Sequence, residues 1–197
     1  MNKRFKSTLA SLTFLIAGAL STPCSAAREV AGVHFDDQAS LGNQPLVLNG
    51  AGVRVKMIIK VYAVGLYVPH KDTTPAALIN QPGPKSIRIV MLRDVSAERL
   101  TDALIQGIND NVSAADRRVL QPRLDELESA MRGAGEATKG AQIKLDYLPG
   151  VGTHITMAGK QLGKDIAGED FYRALLKIWL GEKPSDRSLK GDLLGQS

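Results

Sequence analysis

Cysteine is nearly absent from this chain, which holds one, Cys24, in 197 residues. An internal disulfide is excluded, and Cys24 falls ahead of the point where a leader would be cut, so the rest of the chain has no thiol chemistry. A core of about 170 residues needs no covalent staple. Histidine is also sparse: His34, His70 and His154 stand apart, share no ligand spacing and have no cysteine partners. That leaves no pattern for a metal site, and nothing calls for a cofactor. No interior run is apolar and long enough to span a bilayer, and there is no low-complexity tract or internal repeat. Net charge is small too. The formal excess is +5, but Lys3, Arg4 and Lys6 lie in the first residues, so the remainder carries 5 − 3 = +2, which gives no footprint for a nucleic-acid partner.

Those three cations open a different pattern. They precede an apolar stretch at residues 9–20, and Ser25, Ala26 and Ala27 supply small residues after it. The expectation is a secretory signal over residues 1–27, cut near Ala27, with a single domain over residues 28–197 and a periplasmic location. Pro23 stands where a lipoprotein signal carries a small residue, which argues against lipid attachment at Cys24.

Strand signals come first in that domain. Residues 30–35, 46–49, 53–68 and 87–92 are rich in β-branched and aromatic side chains. Helical spacing then takes over. One helix starts near Ser96, with Leu100, Ala103, Leu104, Gly107 and Ile108 on its stripe. A second starts at a capping box from Ser113 to Asp116, runs through Leu120, Leu124, Leu127 and Met131, and ends at Gly133 and Gly135. Strands return at 142–148 and 153–158, followed by a short one after Gly159. A last strong helix covers 169–180, with Gly181 at its end, Pro184 beyond it and Ser185 placed to cap a short terminal helix. Strands, a helical pair, strands and a helix add up to an α+β domain whose helices cover part of a mainly antiparallel sheet.

Three segments carry a resemblance: GAGVRVKMIIKVYAVGLYV, SAERLTDALIQGINDN and DFYRALLKIWLGEKPSDRSLKGDLLG. Together they resemble the chalcone isomerase-like family, in particular its exported bacterial branch, over nearly all of the chain after the leader. The most specific parts are Arg54 before Lys60-Val61-Tyr62 and Trp179-Leu180-Gly181 before Leu189-Lys190. The resemblance implies an open-faced β-sandwich, a large antiparallel sheet with a layer of helices and a ligand cleft between them. It also implies two functions, since the family is similar both to plant enzymes that cyclise chalcones and to fatty-acid-binding proteins that catalyse nothing.

Residues at the implied site separate the two. Arg54 matches the arginine that polarises the enzymes' substrate. Tyr62 stands for a threonine, Arg99 for a tyrosine, Gln106 for an asparagine and Ile178 for a second threonine, so only the arginine is kept. Cyclisation needs both ends of one molecule positioned and enolate charge stabilised, and Ile178 offers that substrate no hydrogen bond. A guanidinium beside a tyrosine hydroxyl suits a carboxylate better. The expectation is therefore a ligand site of Arg54, Tyr62, Arg99, Gln106 and Ile178 for a small amphipathic carboxylate such as a fatty acid. Its apolar lining would be drawn from Met57, Ile58, Val64, Leu104, Ile108, Leu175, Ile178 and Trp179. The alternative is an isomerase of intramolecular lyase type acting on an enone or chalcone-like substrate, with Arg54 as electrophile and Tyr62 as proton donor.

Periodicity bounds this reading. A continuous strand over 53–68 would put Arg54 and Tyr62 on one face, whereas a turn near Lys56 would put them on paired strands, where contact depends on register. Other signals carry no chemistry. Gly150-Val151-Gly152 lacks the strand-to-helix context of a phosphate loop, no motif frames a serine nucleophile, and the acidic pairs read as solvated faces or helix starts.

Overall fold

Alternation along the strands sets the two faces of the sheet. In β5 (Ile59–Val68) the buried Tyr62, Val64, Leu66 and Val68 join the large core on the helix side, while Ala63 and Tyr67 join a smaller cluster on the opposite face. The same division runs through β6 (Lys85–Met91), β7 (Gln142–Leu148) and β8 (Gly152–Met157), whose residues Ile87, Ile89, Met91, Ile143, Leu145, Tyr147, Ile155 and Met157 all enter the large core. The computed structural model describes residues 27–196.

With β3 (Gln38–Leu41), β4 (Gln44–Lys56) and β9 (Lys160–Gln161), these strands form one 7-stranded antiparallel sheet in sequence order from β3 to β9. A separate hairpin, β1 (Ala27–Val30) with β2 (Val33–Asp36), covers part of the second face. Its Phe35 lies over Gly65 so closely that a Cβ there would come within 2.7 Å of the ring. Helices α1 (Pro75–Asn80), α2 (Ala97–Asn109), α3 (Ala114–Arg132), α4 (Glu169–Leu180) and α5 (Arg187–Leu193) supply the other layer. This is the α+β, open-faced architecture expected from the sequence.

Local chemistry explains the helix ends. Ser113 Oγ accepts from Asp116 N at 3.1 Å, and Ser96 Oγ accepts from Arg99 N at 3.4 Å. Buried Leu100, Leu104 and Ile108 give α2 its core face, and α4 sinks almost entirely into the molecule, with Phe171, Leu175, Ile178 and Trp179 all buried. α2 meets α4 at Gly107, where a Cβ would approach Ile178 to 3.0 Å.

The run 53–68 follows the second of its two alternatives, turning directly after Lys56 at Met57 (φ 59°) and Ile58 to give β4 and β5. Other expectations are corrected. Residues 30–35 also turn, at Ala31 (φ 51°) and Gly32 (φ 80°). β3 and α1 have no counterpart in the sequence reading. The cap of α5 is Asp186 and not Ser185, its Oδ1 accepting from Ser188 N at 2.9 Å and Leu189 N at 3.2 Å. The expected leader lies outside the described residues except for Ala27, which opens β1.

The glycines before Arg54 permit close docking. A Cβ on Gly50 would collide with the main chain at Asp192 and Leu193, and one on Gly52 with the Asp192 side chain. α5 therefore lies directly on β4, tied by Asn49 Nδ2 donating to Leu193 O at 2.7 Å.

Candidate functional site

The hairpin turn at Met57–Ile58 folds β5 back on β4 so that Arg54 and Tyr62 are direct cross-strand partners. A register shift follows between Arg54 and Val55, because Val55 pairs with Lys60. Such an irregularity adds local twist beside the pair. Opposed residues project to the same face, here the one covered by helices.

Tyr62 is buried, and its hydroxyl accepts from Trp179 Nε1 at 3.0 Å. Burial raises the phenol's pKa above the usual value, against smaller lowering influences from Trp179, Arg54 and Ser185. The group is thus a neutral hydroxyl at ordinary pH, its oxygen accepting from Trp179 and the buried Ser185 Oγ lying beside it. Arg54 is part-buried, and its Nη1 donates to Val55 O at 2.5 Å. Its guanidinium has further donors, which fits it to a second, charged acceptor.

A cavity of about 590 Å³ opens beside this pair, between the β4–β5 hairpin, the end of β6, α2 and α4. Its floor and walls include Ile89, Leu100, Leu104, Ile178 and Trp179, and Arg93 and Arg99 stand exposed at the rim. The volume lies within the range of about 300–1,000 Å³ common for small-molecule pockets. Asp94, Glu98 and Glu136 line the cavity along with Lys56, Arg93 and Arg99, and it is the Arg54 and Tyr62 pair beside apolar walls that suits an amphipathic anion.

The family model described as chalcone isomerase-like matches residues 27–195. The chain belongs to the chalcone isomerase-like family. Among solved structures, this chalcone isomerase-like domain is similar to a fatty-acid binding protein of Arabidopsis thaliana, with a TM-score of 0.66 and 18% identity over 86% of this chain and 96% of that one. At that identity the likeness speaks for the fold. Among curated proteins none matches the chain in sequence.

Of the residues expected at the ligand site, the chalcone isomerase-like domain brings Arg54, Tyr62, Arg99 and Ile178 to one cavity. It does not bring Gln106 there. That side chain is exposed on α2 and donates to Asp110 at 2.7 Å, one helical turn on. The lining expectation is corrected in a similar way. Leu104, Ile178 and Trp179 line the cavity, Val64, Ile108 and Leu175 are buried in the core, and Met57 and Ile58 stand in solvent at the hairpin tip.

Asp186 is the polar residue that sequence reasoning missed. Its Oδ2 accepts from Val55 N at 3.1 Å and lies 3.9 Å from Arg54 Nη1, while its other oxygen caps α5. The rule that favours Asp at a helix start could have found it, since Asp186 directly follows Ser185. Ser185 Oγ is buried, adjoins the Tyr62 phenol and otherwise has no partner. A larger groove of about 1020 Å³ runs between α3 and the β8–β9 region, but its lining mixes Glu126, Glu136, Asp165, Lys160 and Lys164 and includes no aromatic residue. It holds no guanidinium beside a phenol to compare with Arg54 and Tyr62. Among the described residues, no group of His, Cys, Asp and Glu is arranged to hold a metal ion, and no helix is long and apolar enough to cross a membrane.

Proposed function

We propose that this chain is an exported, non-catalytic binding protein for a small amphipathic carboxylate such as a fatty acid. The observation that carries the reading is the register of the β4–β5 hairpin, which sets Arg54 opposite Tyr62 at the edge of an apolar cavity. In the proposed complex the guanidinium and the phenol proton hold the carboxylate, Arg99 adds positive charge at the rim, and the tail lies against Leu100, Leu104 and Ile178. The fatty-acid binding protein that shares the fold supports the same ligand class.

Export is part of the proposal, supported by the basic, apolar and small-residue sequence of residues 1–27. An intact mass matching a chain that starts near Arg28, in protein recovered from the periplasm, is the expected result. Full-length protein retained in the cytoplasm would overturn it.

The isomerase alternative is weakened by Tyr62. A phenol whose pKa is raised by burial gives up its proton less readily, so it makes a poor general acid near neutral pH.

Native mass spectrometry of the purified protein tests the ligand. Co-purifying or added fatty acid retained by the parent chain and lost from Arg54→Ala supports the proposal. A protein that binds no fatty acid, or that forms flavanone stereoselectively above the spontaneous rate, overturns it.

A further inference from the structure

The tip of the β4–β5 hairpin exposes apolar side chains where a turn would ordinarily be polar. Met57 is 91% exposed, Ile58 94% and Ile59 46%. Met57 also takes a left-handed φ of 59°, a conformation that favours glycine or asparagine in a tight hairpin. The conformation alone would select a small polar residue there, and the chain carries a large apolar one.

The tip projects past its neighbours. Backbone pairing to β5 ends with Leu92 N donating to Val61 O at 3.0 Å, and on the other side β3 pairs with β4 over Gln44–Val47, so residues 56–60 extend beyond both. Lys56 and Lys60 flank the three apolar residues on either side, both exposed. Lys56 also borders the cavity, where Arg93 and Arg99 add exposed positive charge at the rim. Of the rim carboxylates, Asp94 accepts from Lys139 N at 2.6 Å and Glu98 pairs with Arg132 at 3.6 Å, while Glu136 is exposed. Of the three only Glu98 is paired with a cation, so the rim is mixed in charge, and the positive charge at the tip itself is that of Lys56 and Lys60.

From this geometry we infer that the hairpin tip is a membrane-docking element: Met57, Ile58 and Ile59 insert into the interfacial layer of an anionic phospholipid bilayer. Lys56 and Lys60 then lie at headgroup level, and the cavity mouth is turned toward the bilayer. Apolar side chains ringed by lysine match such a surface in both polarity and charge. Docking by the tip places the Arg54 and Tyr62 cavity where an amphipathic molecule could pass between bilayer and protein without crossing water. The inference does not depend on the carboxylate reading, because insertion requires no bound ligand.

Ile58→Trp tests it. The chain's single tryptophan, Trp179, is buried, so a second one at the tip reports its own surroundings. With vesicles of phosphatidylethanolamine and phosphatidylglycerol at low salt, the tip fluorescence should shift to the blue, and brominated acyl chains should quench it. Phosphatidylcholine vesicles should give neither change. Adding Lys56→Glu and Lys60→Glu should weaken the response by about fivefold for each lost lysine, and further through the added negative charge. In the chain without the tryptophan probe, Met57→Ser with Ile58→Ser should lower partition onto the anionic vesicles at least about tenfold. A tip tryptophan that keeps its water-exposed emission with anionic vesicles overturns the inference. So does a blue shift that grows with protein concentration in the absence of lipid, since a second copy would then cover the tip. The readout is local, so insertion of residues 9–20 alone would leave the probe unquenched.

Discussion

Trp179 Nε1 donates to the Tyr62 hydroxyl at 3.0 Å, joining the most deeply buried helix to the strand that carries half of the candidate anchor. Both side chains are buried, so breaking the bond from either end leaves an unsatisfied polar atom away from water. Tyr62→Phe should therefore destabilise the fold by roughly 1–3 kcal/mol in urea unfolding, because the indole N–H loses its acceptor. Trp179→Phe should cost more, since it also removes ring volume from the core. The double variant should be less destabilised than the sum of the singles, and strict additivity would show that the bond contributes nothing.

Alkaline pH should unfold this protein with an unusual tyrosine titration. All four tyrosines, Tyr62, Tyr67, Tyr147 and Tyr172, have raised pKa values, with burial the first cause in each. Their folded values lie above the unfolded value of about 10, so their contribution is intact below that pH and is lost as pH rises through the folded values. Tyrosinate absorbance and near-UV circular dichroism should therefore change together above about pH 10. A tyrosine ionising normally in a chain that keeps its near-UV signal would contradict this.

In the proposed complex Asp186 would compete with the carboxylate for Arg54. Asp186→Asn keeps one oxygen for the α5 cap, gives up the acceptor for Val55 N and removes the negative charge 3.9 Å from the guanidinium. Fatty-acid affinity measured by calorimetry should rise about two- to fivefold, the scale of a partly exposed ion pair. Asp186→Ala should instead lower stability by about 0.5–2 kcal/mol through loss of the cap. An unchanged affinity in the asparagine variant would mean that Arg54 does not meet the ligand's charge.

Gln106→Ala should leave ligand binding unchanged, because the side chain bonds Asp110 outside the cavity. Arg99→Ala, at the cavity rim, should weaken binding, with the larger effect at low salt. A Gln106 variant with reduced affinity would move the site toward the exposed side of α2.

Gly50→Ala should loosen the terminal helix. The added methyl meets the main chain at Asp192 and Leu193, which has no flexible end to swing away. A cost of about 1–3 kcal/mol is expected, read as a lower melting temperature and faster proteolysis within Arg187–Leu193. Wild-type resistance in that segment would show that the sheet can shift to make room.

The sheet and the long helices were legible because their signals are local. Alternating apolar residues in β7 and β8, the Ser113 cap and the stripe of α4 each follow from nearby sequence. The turn at Met57–Ile58 was not, since neither residue is a usual turn former and the apolar pattern runs straight through it. The sequence left a continuous strand and a turn near Lys56 both open, so the register that sets Arg54 against Tyr62 was not fixed, and two exposed tip residues were assigned to the ligand lining. Gln106 was misplaced for a related reason. Its distance along α2 gave the right helix but not the right side of it. Asp186 was readable as a helix cap, but its contact with Val55 was hidden by their separation of 131 residues along the chain.

That separation has a kinetic consequence. Sheet neighbours follow one another in sequence, so β3 to β6 can pair strand by strand and β7 then joins β6 across residues 92–141, whereas α5 reaches β4 through contacts such as Asn49 with Leu193, 144 residues apart. The cavity rim at Arg54 gains Asp186 only when that long-range contact forms. A growing chain could pair most of its sheet before the segment from Asp186 to Leu193 emerged to complete the rim of the candidate site.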